Sequence, residues 1–279
     1  MSTEIKEEKY LFEYYRNKIH PVLLSVKDTV HIHSADDIHK LRVNLKKIKT
    51  LFALFEIVAP KKFKADKSYT LFEEIFEQAG KIREAQMNRI CIDTYKLPES
   101  SVVLYHKFLE RKEKKAKKQF SSLITDLKDK KIIELDAEIE KLCSKTSTES
   151  ILNHSQNFIS RKIKNSKNIP EHPDNKTLHK VRKNLKSVSA ISTLLHTIEA
   201  DAELEVAQES IKKAEDMIGD WHDTIVLESS LHTFLKHKKY EANDSLKPLI
   251  NVLTKLQHQN KLEARNITTE IKTILQDIK

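Results

Sequence analysis

Two glycines, Gly80 and Gly219, and six prolines are the strongest turn-formers that a chain of 279 residues contains. Hairpins need residues that tolerate positive φ or a fixed bend, so this supply argues against a sheet-rich fold. Lys, Glu, Leu and Ile in helical period fill the chain instead, which is the pattern of an all-α protein. Apolar spacing predicts helices over 8–30, 65–93, 101–128 and 131–143, with a further helix that contains 39–55 and ends before Pro60. It predicts others over 151–164, 178–198, 204–236 and 246–278. Pro21 should bend the first of these or start a new segment. Residues 31–37 read as a turn in which Ser34 and Asp37 have capping-box spacing, and Asp174 or Asn175 is placed to cap the 178–198 helix.

The segment 39–55 has two faces of different chemistry. At about 100° per residue, Leu41, Leu45, Ile48, Leu51, Phe52 and Phe55 gather on one side, and His39, Arg42, Lys46 and Lys49 on another. Any amphipathic helix must wet one face, but four basic groups would normally be relieved by acids at i,i+4, and none shares their stripe. The pattern returns 140 positions later. His179, Arg182 and Lys186 repeat His39, Arg42 and Lys46, while Val181, Leu185, Val188, Ile191 and Leu195 repeat the apolar face. Asn184 repeats Asn44. Both faces recur in phase, so the chain reads as an internal duplication.

The repeat continues with one deletion. Gly80 and Glu84 are each 139 positions before Gly219 and Asp223. Glycine inside a helix costs about 1 kcal/mol against alanine, so a packing reason such as close helix approach is expected for both, with direct anion contact the alternative. Arg83-Glu84 in the first copy becomes His222-Asp223 in the second, and the acids read as partners for nearby bases. The 101–128 helix adds Lys107, Arg111, Lys114, Lys115 and Lys118 on one polar stripe, with Glu110 and Glu113 off it. This second basic helix could face the first across a groove. In the second copy Ser187 and Ser189 replace Lys47 and Lys49, and the last helix has only scattered bases, so an asymmetric site dominated by the first copy is expected. Residues 144–150, rich in Ser and Thr, read as the linker between copies spanning 1–143 and 144–279.

His-x-x-Arg-x-x-x-Lys twice on long helices, each followed by the glycine-plus-acid element, resembles the CHAD family, the conserved histidine α-helical domain. The resemblance implies a fold of two tandem, pseudo-two-fold-related helical bundles, with about four long helices each, around a basic central groove or channel. It also implies binding of inorganic polyphosphate, without a cofactor. On that reading the binding residues are His39, Arg42, Lys46, Lys47, Lys49, Arg83, Lys107, Arg111, Lys115, Lys118, His179, Arg182, Lys183 and Lys186. The histidines would become donors beside a polyanion. A cytoplasmic location, in association with polyphosphate granules, goes with this reading.

The residues alone point to an anionic partner of some kind. Net charge is +9, from 50 basic and 41 acidic residues. No apolar run reaches the roughly 18–20 residues that cross a bilayer, and the charged start lacks the apolar core of a signal peptide. Cys91 and Cys143 are widely separated and fit free or buried thiols. His31, His33 and His39 invite a metal, but no Cys pair, HExxH or carboxylate-rich loop supports them. Phosphohistidine chemistry is a further alternative, yet no phosphate-cradling glycine loop or nucleophile elbow is present. Single-stranded nucleic acid is the stronger rival. It usually stacks on aromatic platforms, whereas Phe52, Phe55 and Phe120 fall on apolar faces. An internal duplication supplies a pseudo-dimer in one chain, so a monomer is expected.

Overall fold

A computed structural model describes residues 13, 16–17, 20–21, 34–127, 129–198, 202–237 and 244–276. The helix expected over 8–30 falls mostly outside the described residues, and His31 and His33 fall wholly outside them. The elements are α1 (Ala35–Val58), α2 (Ala65–Asp93), α3 (Glu99–Asp126), α4 (Asp129–Cys143), α5 (Thr148–Lys167), α6 (Asn175–Ile198) and α7 (Ala202–His237). A 3-10 turn over Asp244–Leu246 then leads into α8 (Lys247–Gln276). The described residues contain no strand, and the architecture is all-α.

Capping sets several of these boundaries. Ser34 opens α1 by accepting from the Asp37 amide at 3.1 Å, and its hydroxyl also donates to the Asp37 carboxylate. Asp36 and Asp37 place negative charge at the positive end of the helix. At the other end the Ala59 amide reaches Phe55 O at 2.9 Å, and Pro60 stops the helix. Asp174 caps α6, accepting from the Thr177 amide at 2.7 Å, and Asn175 is the first helical residue. The expected linker 144–150 is shorter in the structure, because Ser147 caps α5. Its hydroxyl accepts from the Ser150 amide at 3.3 Å, so 148–150 are helical.

The chain forms two compact units that are not contiguous in sequence. The first takes 1–80, 116–161 and 190–201, and the second takes 81–115, 162–189 and 202–279. α2, α3, α5 and α6 therefore each contribute to both. The core of the first unit is aromatic. Phe63 packs edge-on against Phe52 at 5.4 Å and Phe55 at 5.6 Å, with Tyr69 and Phe72 alongside. In the second unit Tyr105, Phe234, Leu227, Leu231, Leu249 and Leu256 form a buried cluster. The Tyr105 hydroxyl donates to Ser230 at 2.8 Å. α7 and α8 are also joined by polar contacts: the Trp221 indole donates to Asn260 O at 3.2 Å, and Asn260 donates to Glu228 at 2.7 Å. Cys91 and Cys143 are free thiols.

Candidate anion-binding site

On α1 the apolar face behaves as its spacing requires: Leu41, Leu45, Ile48, Leu51, Phe52 and Phe55 are buried. That burial turns the basic stripe outward and fixes its depth. His39, Lys47 and Lys49 are exposed, while Arg42 and Lys46 are half-buried. Arg42 lies across α2, within the first unit. Its Nη1 donates to Phe76 O at 2.8 Å, and its guanidinium carbon stands 4.4 Å from the Phe76 ring centroid. A Cβ at Gly80 would come within 2.6 Å of the same Nη1. The glycine is therefore the gap through which the arginine passes, one turn beyond Phe76. Two turns along α1 from Arg42, Lys49 Nζ sits 4.6 Å from the centroid of Tyr69, which is two turns back from Phe76 on α2. Two cations thus rest on two rings in matching register. Burial pushes the Tyr69 hydroxyl well above the usual tyrosine range, only partly offset by Arg42, so the ring stays neutral.

The repeated bases His179, Arg182 and Lys186 lie in the second unit. Leu178, Val181, Leu185 and Val188 bury one face of α6, leaving Arg182 and Lys186 half-buried toward α7. Arg182 Nη2 would lie 3.8 Å from a Cβ at Gly219, an ordinary contact. Burial holds both Arg182 and Lys186 below the ordinary range for their types, and Arg182 adds repulsion at Lys186. Neither makes an ion pair within 4.0 Å among the described residues. Arg182 Nε is buried without a hydrogen bond there. Two acids of α7 lie within electrostatic range: Glu215, which is 8% exposed, and Asp223. Asp223 also feels Arg83, so Arg83, Arg182 and Lys186 share one neighbourhood. The His179 and His222 rings lie 5.0 Å apart, and Lys183 is exposed.

The bases of α3 divide between the units, with Lys107, Arg111 and Lys115 in the second and Lys118 in the first. All four are exposed. Glu113 points away from them into the protein, where it accepts from Arg89 at 2.8 Å and Gln86 at 3.1 Å. Glu84 meets Lys112 at 3.8 Å, both side chains being well exposed. Among the described residues no group of His, Cys, Asp and Glu is arranged to hold a metal. A cavity of about 380 Å³ between α7 and α8 is lined by Asp220, Trp221, Glu263 and Glu270 among others, the wrong charge for a polyanion.

Sequence reasoning missed Phe76, Tyr69 and Glu215. The signal was present: continuing the 139-residue offset along α2 and α7 pairs Tyr69 with Gln208 and Phe76 with Glu215.

A family model described as CHAD domain matches residues 23–232. Among solved structures, the chain is similar to the crystal structure of the CHAD domain from the plant Ricinus communis. The TM-score is 0.76 at 12% identity, covering 99% of this chain and 92% of that one. At that identity the likeness speaks for the fold. No curated protein matches. Among the described residues, no helix is long and apolar enough to cross a membrane.

Proposed function

The chain belongs to the CHAD family, and from that premise we propose that it binds inorganic polyphosphate through the cations of α1 and α6 and catalyses no reaction on it. One observation carries the reading. Arg182 and Lys186 are held half-buried against the cost of desolvation, with no contact ion pair among the described residues to offset it. Glu215 and Asp223 offset that cost only at range, so a contacting anion still gains there. Arg offers a planar fork to two phosphate oxygens, and Lys a movable point charge, which together suit a flexible chain of phosphates.

Residues 1–143 and 144–279 supply the two copies of this face, and one chain therefore suffices as a monomer. The α3 bases, all exposed, add positive charge within each unit, Lys107, Arg111 and Lys115 in the second and Lys118 in the first. Buried Phe52, Phe55 and Phe120 offer no platform for bases, and Phe76 and Tyr69 lie under cations. That arrangement favours a bare phosphate chain over single-stranded nucleic acid. A cytoplasmic location, with recruitment to polyphosphate granules, goes with such a role.

The test is competition of long-chain polyphosphate against single-stranded RNA, duplex DNA and tripolyphosphate at one ionic strength, since all lose affinity with salt. Long-chain polyphosphate should win, and an Arg42→Ala, Lys46→Ala, Arg182→Ala variant should lose binding while keeping its helical content. A preference for RNA or DNA would overturn the reading.

A further inference from the structure

The two copies of the cation face rest on different chemistry. On α2 the positions two turns apart are Tyr69, Phe76 and Arg83; on α7 their counterparts are Gln208, Glu215 and His222. Arg42 stacks on the ring of Phe76, and Lys49 on that of Tyr69. In the second copy Ser189 replaces Lys49, and its hydroxyl is bonded to the Glu215 carboxylate. A ring supports a cation without cancelling its charge, whereas a carboxylate cancels it. Glu215 is 8% exposed, so water does little to screen it.

We propose that Glu215 is the residue that sets anion affinity in the second copy. Fixed by Ser189 within the field of Arg182 and Lys186, it supplies negative charge where a phosphate would otherwise supply it. The second face accordingly takes phosphate weakly, and the first, with a ring at this position, takes it strongly. The assignment rests on the polyphosphate reading for the ligand's identity, but its electrostatics hold for any phosphate. The charged groups around Glu215 are Arg182 and Lys186 from α6, with Lys212 and Asp216 from α7 itself. Lys212 and Asp216, paired with each other at 2.6 Å, act on Glu215 with opposite signs. Glu215 acts on Arg182 and Lys186 from beyond ion-pair contact, through its field and not by occupying their donors.

Calorimetric titration with tripolyphosphate at pH 7.5 and one low ionic strength decides the matter. Relative to the wild type, Glu215→Gln should show a second phosphate-binding phase tightened about tenfold, the effect of one neighbouring charge at partly screened range. Adding Arg182→Ala in that background should abolish the gain. Glu215→Phe, which restores the ring of the first copy, should show the same gain if Glu215→Gln loses helicity by circular dichroism. Titrations of the folded variants that superimpose on the wild type would overturn the proposal. If the wild type ignores long-chain polyphosphate, the functional reading fails, while the tripolyphosphate comparison still decides the role of Glu215.

Discussion

Replacing each glycine by alanine should change stability in opposite directions. Neither glycine has a positive φ, so alanine should bring its helix propensity to both, a gain of about 1 kcal/mol. At Gly219 the added Cβ stands 3.8 Å from Arg182 Nη2, and nothing must move. Gly219→Ala should therefore stabilise by about 0.5–1 kcal/mol. At Gly80 the same carbon would stand 2.6 Å from Arg42 Nη1 and 3.4 Å from its Cζ, so the guanidinium must leave. Leaving breaks a charge-assisted bond to Phe76 O, about 1.5–3 kcal/mol, and a ring contact of about 0.5–1 kcal/mol. The carbonyl belongs to a helix and the arginine can rehydrate, so the loss sits near the lower end. Net of propensity, Gly80→Ala should destabilise by about 1 kcal/mol. Urea denaturation followed by circular dichroism would read both variants, Arg42→Ala, and the Arg42→Ala, Gly80→Ala pair. With the arginine gone, the Gly80 substitution should reverse sign and stabilise by about 1 kcal/mol. If Gly80→Ala stabilises as much as Gly219→Ala in both backgrounds, Arg42 is not held over Gly80. Polyphosphate affinity should fall for Gly80→Ala alone.

Burial raises the Glu215 carboxyl above its ordinary value of 4.5, so the folded state keeps that proton to higher pH than the unfolded chain. Stability from this group is complete below the ordinary value and is lost as pH rises through the folded one. Glu215→Gln should then raise the melting temperature at pH 7, with the advantage vanishing near pH 4.5; a constant difference across that window refutes the burial argument. Glu113→Ala should cost about 2–3 kcal/mol in denaturant titrations, because it strands the donors of Arg89 and Gln86. A loss below about 0.5 kcal/mol would mean that water replaces the carboxylate without penalty. Affinity for polyphosphate should increase between about pH 8 and pH 6, and less so in a His39→Asn, His179→Asn variant; identical profiles would remove the histidines from binding.

Helices with strong local signals were legible. α1 has an apolar stripe, a Ser34 cap and a Pro60 stop, and its described bounds agree with that reading. The 144–150 segment misled because Ser and Thr serve equally in linkers and as caps, and only the hydrogen bond to Ser147 distinguishes them. Repetition made the bases of α1 and α6 legible. The supports beneath them were not, since Phe76 in an amphipathic helix looks like core and Glu215 looks like solvent-facing charge. Their roles depend on which helix lies alongside, a tertiary fact that no local pattern encodes. The glycines fell between: a close approach is found at Gly80, where Arg42 passes, but at Gly219 Arg182 makes only an ordinary contact that alanine would tolerate.

Four helices divide their residues between the two compact units, and this limits how such a chain can be cut. A fragment ending at 143 would lack 148–161 and 190–198, helical segments that the first unit requires. Its complement would lack 81–93 and 99–115, which the second requires. Separately expressed halves should therefore be poorly folded alone and recover structure when mixed, as a split protein does. Neither half of the sequence could be deleted without taking part of both units' cores with it.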